Sequence, residues 1–389
     1  MIKNLKMQLY QNEEQKFLLE KHFGSCRFVW NHFPEVRNKY YAEHKNDKKN
    51  GLTGFDTMKM LTVLKKEITW LNEINSQSLQ HSLVKLDMGY KSFFKNNTDY
   101  PTFRSKKDNQ YFIIRSGFKT DENKLIIPKF MEGIEYHDKT GIPEKIKQIV
   151  ITGDVGRYYV SIQYETEEGP PKGIGVMGID MGLMAFLTTS DGLQVEPLNA
   201  LRKVEKKLKR EQRKLSGKRK GSENRKKQII KEKKIYQKMR DTRTDFNHKV
   251  STAIAMHYGT VVVEDLNMQG MQQNHNLEKS ITDQGWYQFK QMLTYKMDWR
   301  KANLIEIGRF DPSSKMCSKC GNIKHDLKLS DRIYHCDFCG LAIDRDLNAG
   351  LNIRNIGLVK VGQGMSEFTP VESATAAELS KGGLRVVTL

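Results

Sequence analysis

Long apolar runs are missing from this 389-residue chain, and apolar residues make up only 38% of it. No segment approaches the ~20 consecutive apolar residues that a membrane span needs. The opening MIKNLKMQLY lacks the apolar stretch of a signal peptide, so the chain is expected to be soluble and intracellular. Cysteine is scarce, with five residues in all. Four of them fall in two C-x-x-C pairs and Cys26 stands alone, which argues against a disulfide scaffold and for metal binding. Cys26 lies in the apolar SCRFVW and reads as a small buried residue. Acidic residues are outnumbered, 46 against 65 Lys and Arg, for a formal charge of +19. Such a surplus fits a polyanionic partner such as nucleic acid; a ribosome-like or merely soluble basic protein is the alternative.

The length suits two or three domains. Residues 1–12 alternate loosely (Ile2, Leu5, Met7, Leu9) and predict a strand. Glu13 to about Glu43 has helical spacing, with Phe17, Leu18, Phe23, Phe28, Val29 and Trp30 apolar. Pro34 should break or kink that helix, because an interior proline loses a hydrogen bond and clashes one turn back. Helices follow at about 55–69 and 76–95. The texture then turns to β-formers, and Lys147–Tyr164 reads as two strands joined at GDVG. The first part is therefore expected to be a β-barrel-like unit with a helical insertion, ending at GPPKG, 169–173.

Beyond it, GIGVMGIDMGL is an apolar run ending in an acid, and MAFLTTSDGLQV reads as a hairpin turning at Asp191-Gly192. A charged helical stretch at 198–247, an apolar helix at 247–257, the strand TVVVED at 260–265, a helix at 284–301, a strand at 304–308 and a helix at about 346–355 complete the pattern. Three strands, then helix-strand-helix-strand-helix, is the order of an RNase H-like fold. Residues from Gly357 onward show little periodicity and few charges, and are expected to form a poorly ordered tail.

In that order Asp180 ends the first strand, Glu264 ends the fourth, and Asp346 opens the last helix. An RNase H-like sheet brings these positions to one edge, where three carboxylates repel one another unless cations lie between them. That is the arrangement of a two-metal nuclease with hard oxygen ligands for Mg²⁺, or Mn²⁺ in its place. Taken singly, each acid also fits a helix cap, a turn or a solvated strand end. Asp265 and Asp344 compete for two of the roles. Neighbours on a strand face opposite ways, so Glu264 is preferred over Asp265; Asp346 is preferred over Asp344 because it leads into the apolar helix.

Cys317-Ser-Lys-Cys320 and Cys336-Asp-Phe-Cys339 lie 15 residues apart, each pair followed by glycine (Gly321, Gly340). The spacing is that of a tetrahedral Cys₄ zinc ribbon. His325 and His335 are spare ligands, but four thiolates close the site, so Zn²⁺ is expected to be structural. The segment 201–247 carries 20 Lys and Arg against 6 acids, with Leu201, Val204, Leu208 and Leu215 on one helical stripe and a break at GKRKGS. It reads either as a solvated charged hairpin or as a phosphate-tracking surface. On the second reading the contacts are Lys206, Lys207, Arg210, Arg213, Lys214, Lys218, Arg219, Lys220, Arg225, Lys226 and Lys227, which give affinity rather than sequence choice. Tyr40, Tyr41, Tyr90, Phe93 and Phe94 are candidates to stack on bases, although their helical spacing also fits a core.

GIDMGL, VVVEDLNMQGM, FDPSSKMCSKCG, CDFCG and DRDLNAGLNI, in that order, resemble the TnpB family encoded by bacterial and archaeal insertion sequences. CRFVWN, LQHSLVKLDMGYKSFF and YPTFRSKKDNQYF resemble it too, so the likeness spans nearly the whole chain except the tail. It implies an RNA-guided DNA endonuclease related to type V CRISPR effectors. Such an enzyme binds a guide RNA derived from the transposon end and cuts double-stranded target DNA beside a short motif with one RuvC site. It also implies a wedge β-barrel domain at 1–12 and 96–172, a helical recognition domain at 13–95, a RuvC domain at 173–310 and 346–356 and a zinc-ribbon insertion at 311–345; the flexible tail at 357–389, read from its missing periodicity, lies outside the resemblance. The family's catalytic acids fall on Asp180, Glu264 and Asp346, and its zinc ligands on the four paired cysteines. A monomer in the bacterial or archaeal cytoplasm, at the nucleoid and without membrane contact, is the expectation. Pro34 and Gly350 depart from the family's pattern. The competing readings are a cleavage-deficient guide-dependent repressor, an RNA-independent transposase and a dimeric junction-resolving enzyme.

Overall fold

The computed structural model describes the chain except for residues 48–50, 138–141, 144, 168, 268–269, 272, 274–277, 329 and 361–371. It is a mixed α/β protein in two compact units, 1–167 and 168–389.

In the first unit a seven-stranded antiparallel sheet has the order β2-β6-β7-β1-β5-β4-β3. Strand β1 (Ile2–Tyr10) lies between β7 (Arg157–Glu165) and β5 (Phe130–Tyr136), and its alternation buries Met7 and Leu9. Strand β6 (Ile146–Asp154) turns into β7 through Val155-Gly156, both at positive φ, a two-residue hairpin turn within GDVG. Strands β2 (Gln110–Ile114), β3 (Lys119–Asp121) and β4 (Lys124–Ile127) complete the sheet.

Three helices separate β1 from β2: α1 (Glu13–Glu43), α2 (Gly54–Glu67) and α3 (Ser76–Phe94). Asn12 and Gln15 form a capping box at the start of α1, and Asn75 accepts from the first free N–H groups of α3. Phe23, Val29 and Phe33 of α1 pack with Leu79, Leu83 and Leu86 of α3 and Phe112 of β2 in one core. Cys26 is buried there, and burial pushes its thiol up to about 12.

The break expected at Pro34 does not occur; α1 runs through it as one helix of 31 residues. The proline still removes one backbone donor, but contacts on both sides hold the helix. Asn31 exchanges two 2.8 Å hydrogen bonds with the backbone of Arg104, Phe33 is buried, and Arg37 donates to Asp87 at 2.9 Å.

The second unit is built on a six-stranded sheet of order β12-β11-β8-β9-β10-β15. Strands β8 (Val176–Asp180), β11 (Thr260–Glu264) and β12 (Asn303–Ile307) are parallel, while β9 (Leu187–Thr189) runs antiparallel to β8 and β10 (Leu193–Val195). Alternation along the strands sends Val261 and Val263 to one face and Val262 to the other. The first face packs on α5 (Glu223–His257) and α7 (Trp286–Trp299), through Phe246, Val250, Ile254, Phe289 and Leu293. The second packs on α8 (Arg345–Lys360) through Ile353. Gly178 makes that contact possible: a methyl group there would stand 2.1 Å from the Gly350 carbonyl oxygen. Gly350 itself lies against β9, where a Cβ would come within 3.1 Å of the Ser190 nitrogen, so alanine at this position would crowd the strand.

Helix α4 (Ala200–Ser216) forms a hairpin with α5, held by Leu208, Ile235 and Met239. The two helices expected either side of residue 247 are one, since nothing between Ser222 and His257 breaks the ladder. A short α6 (Glu278–Gln284) precedes α7.

Where it is described, the stretch read as a poorly ordered tail departs from expectation, while residues 361–371 of it lie outside the described residues. Helix α8 continues to Lys360, α9 spans Glu372–Lys381, and β15 (Val386–Thr388) pairs antiparallel with β10. Leu379 is 2% exposed in the core. A three-residue strand and a single buried leucine are too short to show as periodicity, but β10 presents an edge of backbone groups that a further strand satisfies. Among the described residues no helix is long and apolar enough to cross a membrane.

Candidate active site and metal centre

The parallel register pairs Val263 with Ile179, so the next residues, Glu264 and Asp180, emerge together at the ends of β11 and β8. Both lie on the face of Val262 and Gly178, the face covered by α8. Asp346 stands in the first turn of that helix. Burial, then Asp346 and then Glu264 push the Asp180 carboxyl up to about 8, with Arg345 acting against them. Burial also raises Glu264, opposed by a 3.0 Å hydrogen bond from the Ser313 hydroxyl to its Oε1. Asp346 and Glu264 thus lie near enough to Asp180 to disfavour its charged form, though the oxygens of the three acids do not converge as tightly as the cysteine sulfurs described below.

The two competing acids are engaged elsewhere. Asp265 faces away and pairs with Arg309 at 3.1 Å. Asp344 Oδ1 accepts from the N–H groups of Asp346 and Leu347, at 2.9 and 3.0 Å, and so caps α8.

Cys317, Cys320, Cys336 and Cys339 bring their sulfurs within 4.8 Å of one another, and the 317–339 and 320–336 pairs stand 3.6 Å apart. Tetrahedral Zn²⁺ with ~2.3 Å bonds separates sulfurs by about 3.8 Å, so the donor set fits zinc closely. Each knuckle closes with a hydrogen bond from its glycine, Gly321 N–H to Cys317 O at 2.9 Å and Gly340 N–H to Cys336 O at 3.0 Å. Both glycines have positive φ, 77° and 71°. The Cys339 N–H, donated to the Cys336 sulfur, is the first cause holding that thiol down at about 6. Strands β13 (Ile333–His335) and β14 (Ala342–Asp344) join the second knuckle to α8.

Sequence reasoning missed the residues that tie these two centres together. Asn348 and Asn352, 0% and 1% exposed, lie one turn apart on α8 and grip the segment leading to Cys317. The legible signal was two asparagines at helical spacing on an otherwise apolar face (NAGLN). Ser313 lies within FDPSSKMCSKCG, but nothing in that motif points to a carboxylate as its partner.

Of the eleven basic candidates, Lys206, Lys207, Arg210, Arg213, Lys214, Arg219, Lys220, Lys226 and Lys227 are exposed on the α4–α5 hairpin. Arg210 and Lys214 also pair with the buried Glu211, and Lys226 with Glu223. Arg225 is half-buried and donates to the carbonyls of Leu215 and Lys218, so it closes the hairpin turn; Lys218 is half-buried beside it. Of the aromatic candidates, Tyr90 is core, whereas Tyr41 and Phe94 are exposed.

Three family models match this chain. OrfB_IS605, described as a probable transposase, covers residues 159–275; the Cas12f1-like TNB domain covers 286–353. A helix-turn-helix domain model covers 1–46, where the structure has a strand and one continuous helix. A protein of Streptomyces pristinaespiralis named as an RNA-guided DNA endonuclease is 33% identical over 362 residues, 91% of this chain and 89% of its own. InsQ of Escherichia coli K12, named likewise, is 30% identical over 374 residues, 90% of this chain and 91% of its own. A TnpB-like protein of Acanthamoeba polyphaga mimivirus is 29% identical over 195 residues, 46% of this chain and 37% of its own. Identity of this extent, over nine-tenths of the chain, makes it a member of the TnpB family.

Proposed function

We propose that this protein is the RNA-guided DNA endonuclease of a transposon, cutting double-stranded DNA at the site of Asp180, Glu264 and Asp346. The carrying observation is the joint placement of these acids at one sheet edge in a chain related along nine-tenths of its length to proteins named for that activity. The strand order, with β9 antiparallel inside a parallel set, supports reading the second unit as a RuvC-type, RNase H-like domain with a zinc-ribbon insertion. The antiparallel sheet interrupted by three helices supports a wedge domain with a helical recognition insertion. Guide RNA and target DNA are the partners, and sequence choice resides in base pairing to the guide. The exposed lysines and arginines of the α4–α5 hairpin supply sequence-independent attraction for phosphates.

The acid trio fits divalent cations. Its donors are hard oxygens, and the crowding that raises Asp180 is the field a cation relieves. Asp180, Glu264 and Asp346 would hold Mg²⁺, which supplies an activated water and charge neutralisation at the leaving oxygen. The chain's own part is to orient these carboxylates: Ser313 restrains Glu264, Asp344 leaves Asp346 clear of the helix cap, and Arg345 pairs with Asp346 and acts against the build-up of negative charge around Asp180. The four cysteines would hold Zn²⁺ as a closed, structural site.

The test begins with co-expression of the protein and its native flanking DNA, followed by sequencing of the RNA that copurifies. One abundant species running from the element's end into neighbouring sequence is expected, and with Mg²⁺ it should direct cutting that Asp180→Ala abolishes while binding persists. Undiminished cutting by Asp180→Ala refutes the assigned site. Joining of pre-cut transposon ends without RNA would favour the transposase that the OrfB_IS605 description names.

A further inference from the structure

We propose that Ser313 is a positioning residue for the carboxylate site, orienting Glu264 through its hydroxyl and itself held by Asn352 of α8. The inference rests on the reading that the three acids hold divalent cations.

The loop after β12 folds back over the end of β11. Asp311 starts it, accepting from the Gly308 N–H at 2.7 Å and from Lys360 Nζ at 3.1 Å. Two residues on, Ser313 is 4% exposed, and its only hydroxyl proton goes to Glu264 Oε1 at 3.0 Å. The bond restrains one oxygen of the carboxylate.

The serine is fixed in turn. Asn352 Nδ2 donates to the carbonyls of Ser313 at 2.7 Å and Met316 at 2.6 Å, which occupies both of its protons. Asn348 Nδ2 donates to the same Met316 carbonyl at 2.8 Å, and its Oδ1 accepts from the Ser318 N–H at 3.0 Å. Buried amides are costly unless satisfied, and here one short loop takes both protons of Asn352 and meets Asn348 at its nitrogen and its oxygen. Helix α8 therefore sets Asp346 directly in its first turn and Glu264 by relay from two turns further on. The same loop enters the first zinc knuckle at Cys317, so thiolate binding of zinc and the orientation of Glu264 share one piece of backbone.

Removing the hydroxyl leaves Glu264 in place with one restraint fewer. Hydrogen-bond partners of metal-holding side chains typically change metal affinity roughly 10- to 100-fold. The full-length protein with its copurified RNA would be compared as wild type, Ser313→Ala, Ser313→Thr and Asp180→Ala, by two readouts. One is the Mg²⁺ concentration giving half-maximal cleavage. The other is Fe²⁺-directed oxidative scission of the polypeptide at the acid site, without DNA. In both, Ser313→Ala should require about tenfold more metal, with cleavage recovering at saturating Mg²⁺ and zinc content unchanged, and Ser313→Thr should restore the wild-type requirement. An unchanged requirement in Ser313→Ala overturns the inference, as does a loss that excess Mg²⁺ does not repair. Cutting by Asp180→Ala instead refutes the underlying assignment of the acids.

Discussion

Asp180 makes the stability of this protein depend on pH in a direction opposite to that of most carboxylates. Burial and the neighbouring Asp346 and Glu264 push it up to about 8 in the folded chain, whereas an unfolded aspartate titrates near 3.9. Between those values the native state keeps a proton that the unfolded chain releases. Stability is therefore fully present below about pH 4 and is lost as pH rises toward 8, at no more than about 1.4 kcal/mol per pH unit. Because part of the residue reaches solvent, a loss of about 2 kcal/mol between pH 6 and pH 8 is expected. Mg²⁺ favours the ionised carboxylate and should flatten the dependence. Urea unfolding of the zinc-loaded protein at several pH values, with and without Mg²⁺, reads this directly, with Asp180→Asn as the control that removes the titrating group. A wild-type slope that is absent without Mg²⁺, or that persists unchanged in Asp180→Asn, refutes the reasoning.

Three further outcomes follow from packing and metal binding. Gly178→Ala sets a methyl 2.1 Å from the Gly350 carbonyl and 2.5 Å from the Arg354 nitrogen; α8 must lift, at a cost of about 3 kcal/mol or more, and both melting temperature and cleavage should drop, so normal values in both would contradict the close packing. Cys336→Ser should lose zinc by elemental analysis and lower cleavage through the loop that carries Ser313; full zinc content in that variant would place the metal elsewhere. Leu379→Ala removes a leucine that is 2% exposed and should destabilise the second unit by about 2–5 kcal/mol in denaturant unfolding, whereas a neutral result would mean that the C-terminal helix contributes nothing to the core.

The sequence by itself carried the four-cysteine cluster almost completely, since residue type and spacing bring the four sulfurs together wherever the two knuckles meet. Helices with clear caps and periodicity were also legible, as α2 and α3 illustrate, and so was the strand order that brings three acids to one edge. Its choice of Glu264 over Asp265 followed from strand alternation, a purely local rule. The catalytic use of that trio is the proposal that the Asp180 variants test.

Tertiary contacts decided the rest. Pro34 reads as a residue that breaks or kinks a helix, and contacts of Asn31 with Arg104 and of Arg37 with Asp87, together with buried Phe33, hold α1 as one helix. Gly350 looks like a trivial departure until the fold shows that a Cβ there would come within 3.1 Å of the backbone at Thr189 and Ser190. The tail shows no pattern because β15 forms on backbone hydrogen bonds offered by a distant edge. Ser313 and Arg225 are ordinary polar residues in sequence, and what each does depends on the acceptor that folding sets before it: a carboxylate for one, two turn carbonyls for the other. Local spacing determines which groups a segment offers, whereas the partner of a single hydroxyl or guanidinium is fixed only when elements far apart in the chain are packed together.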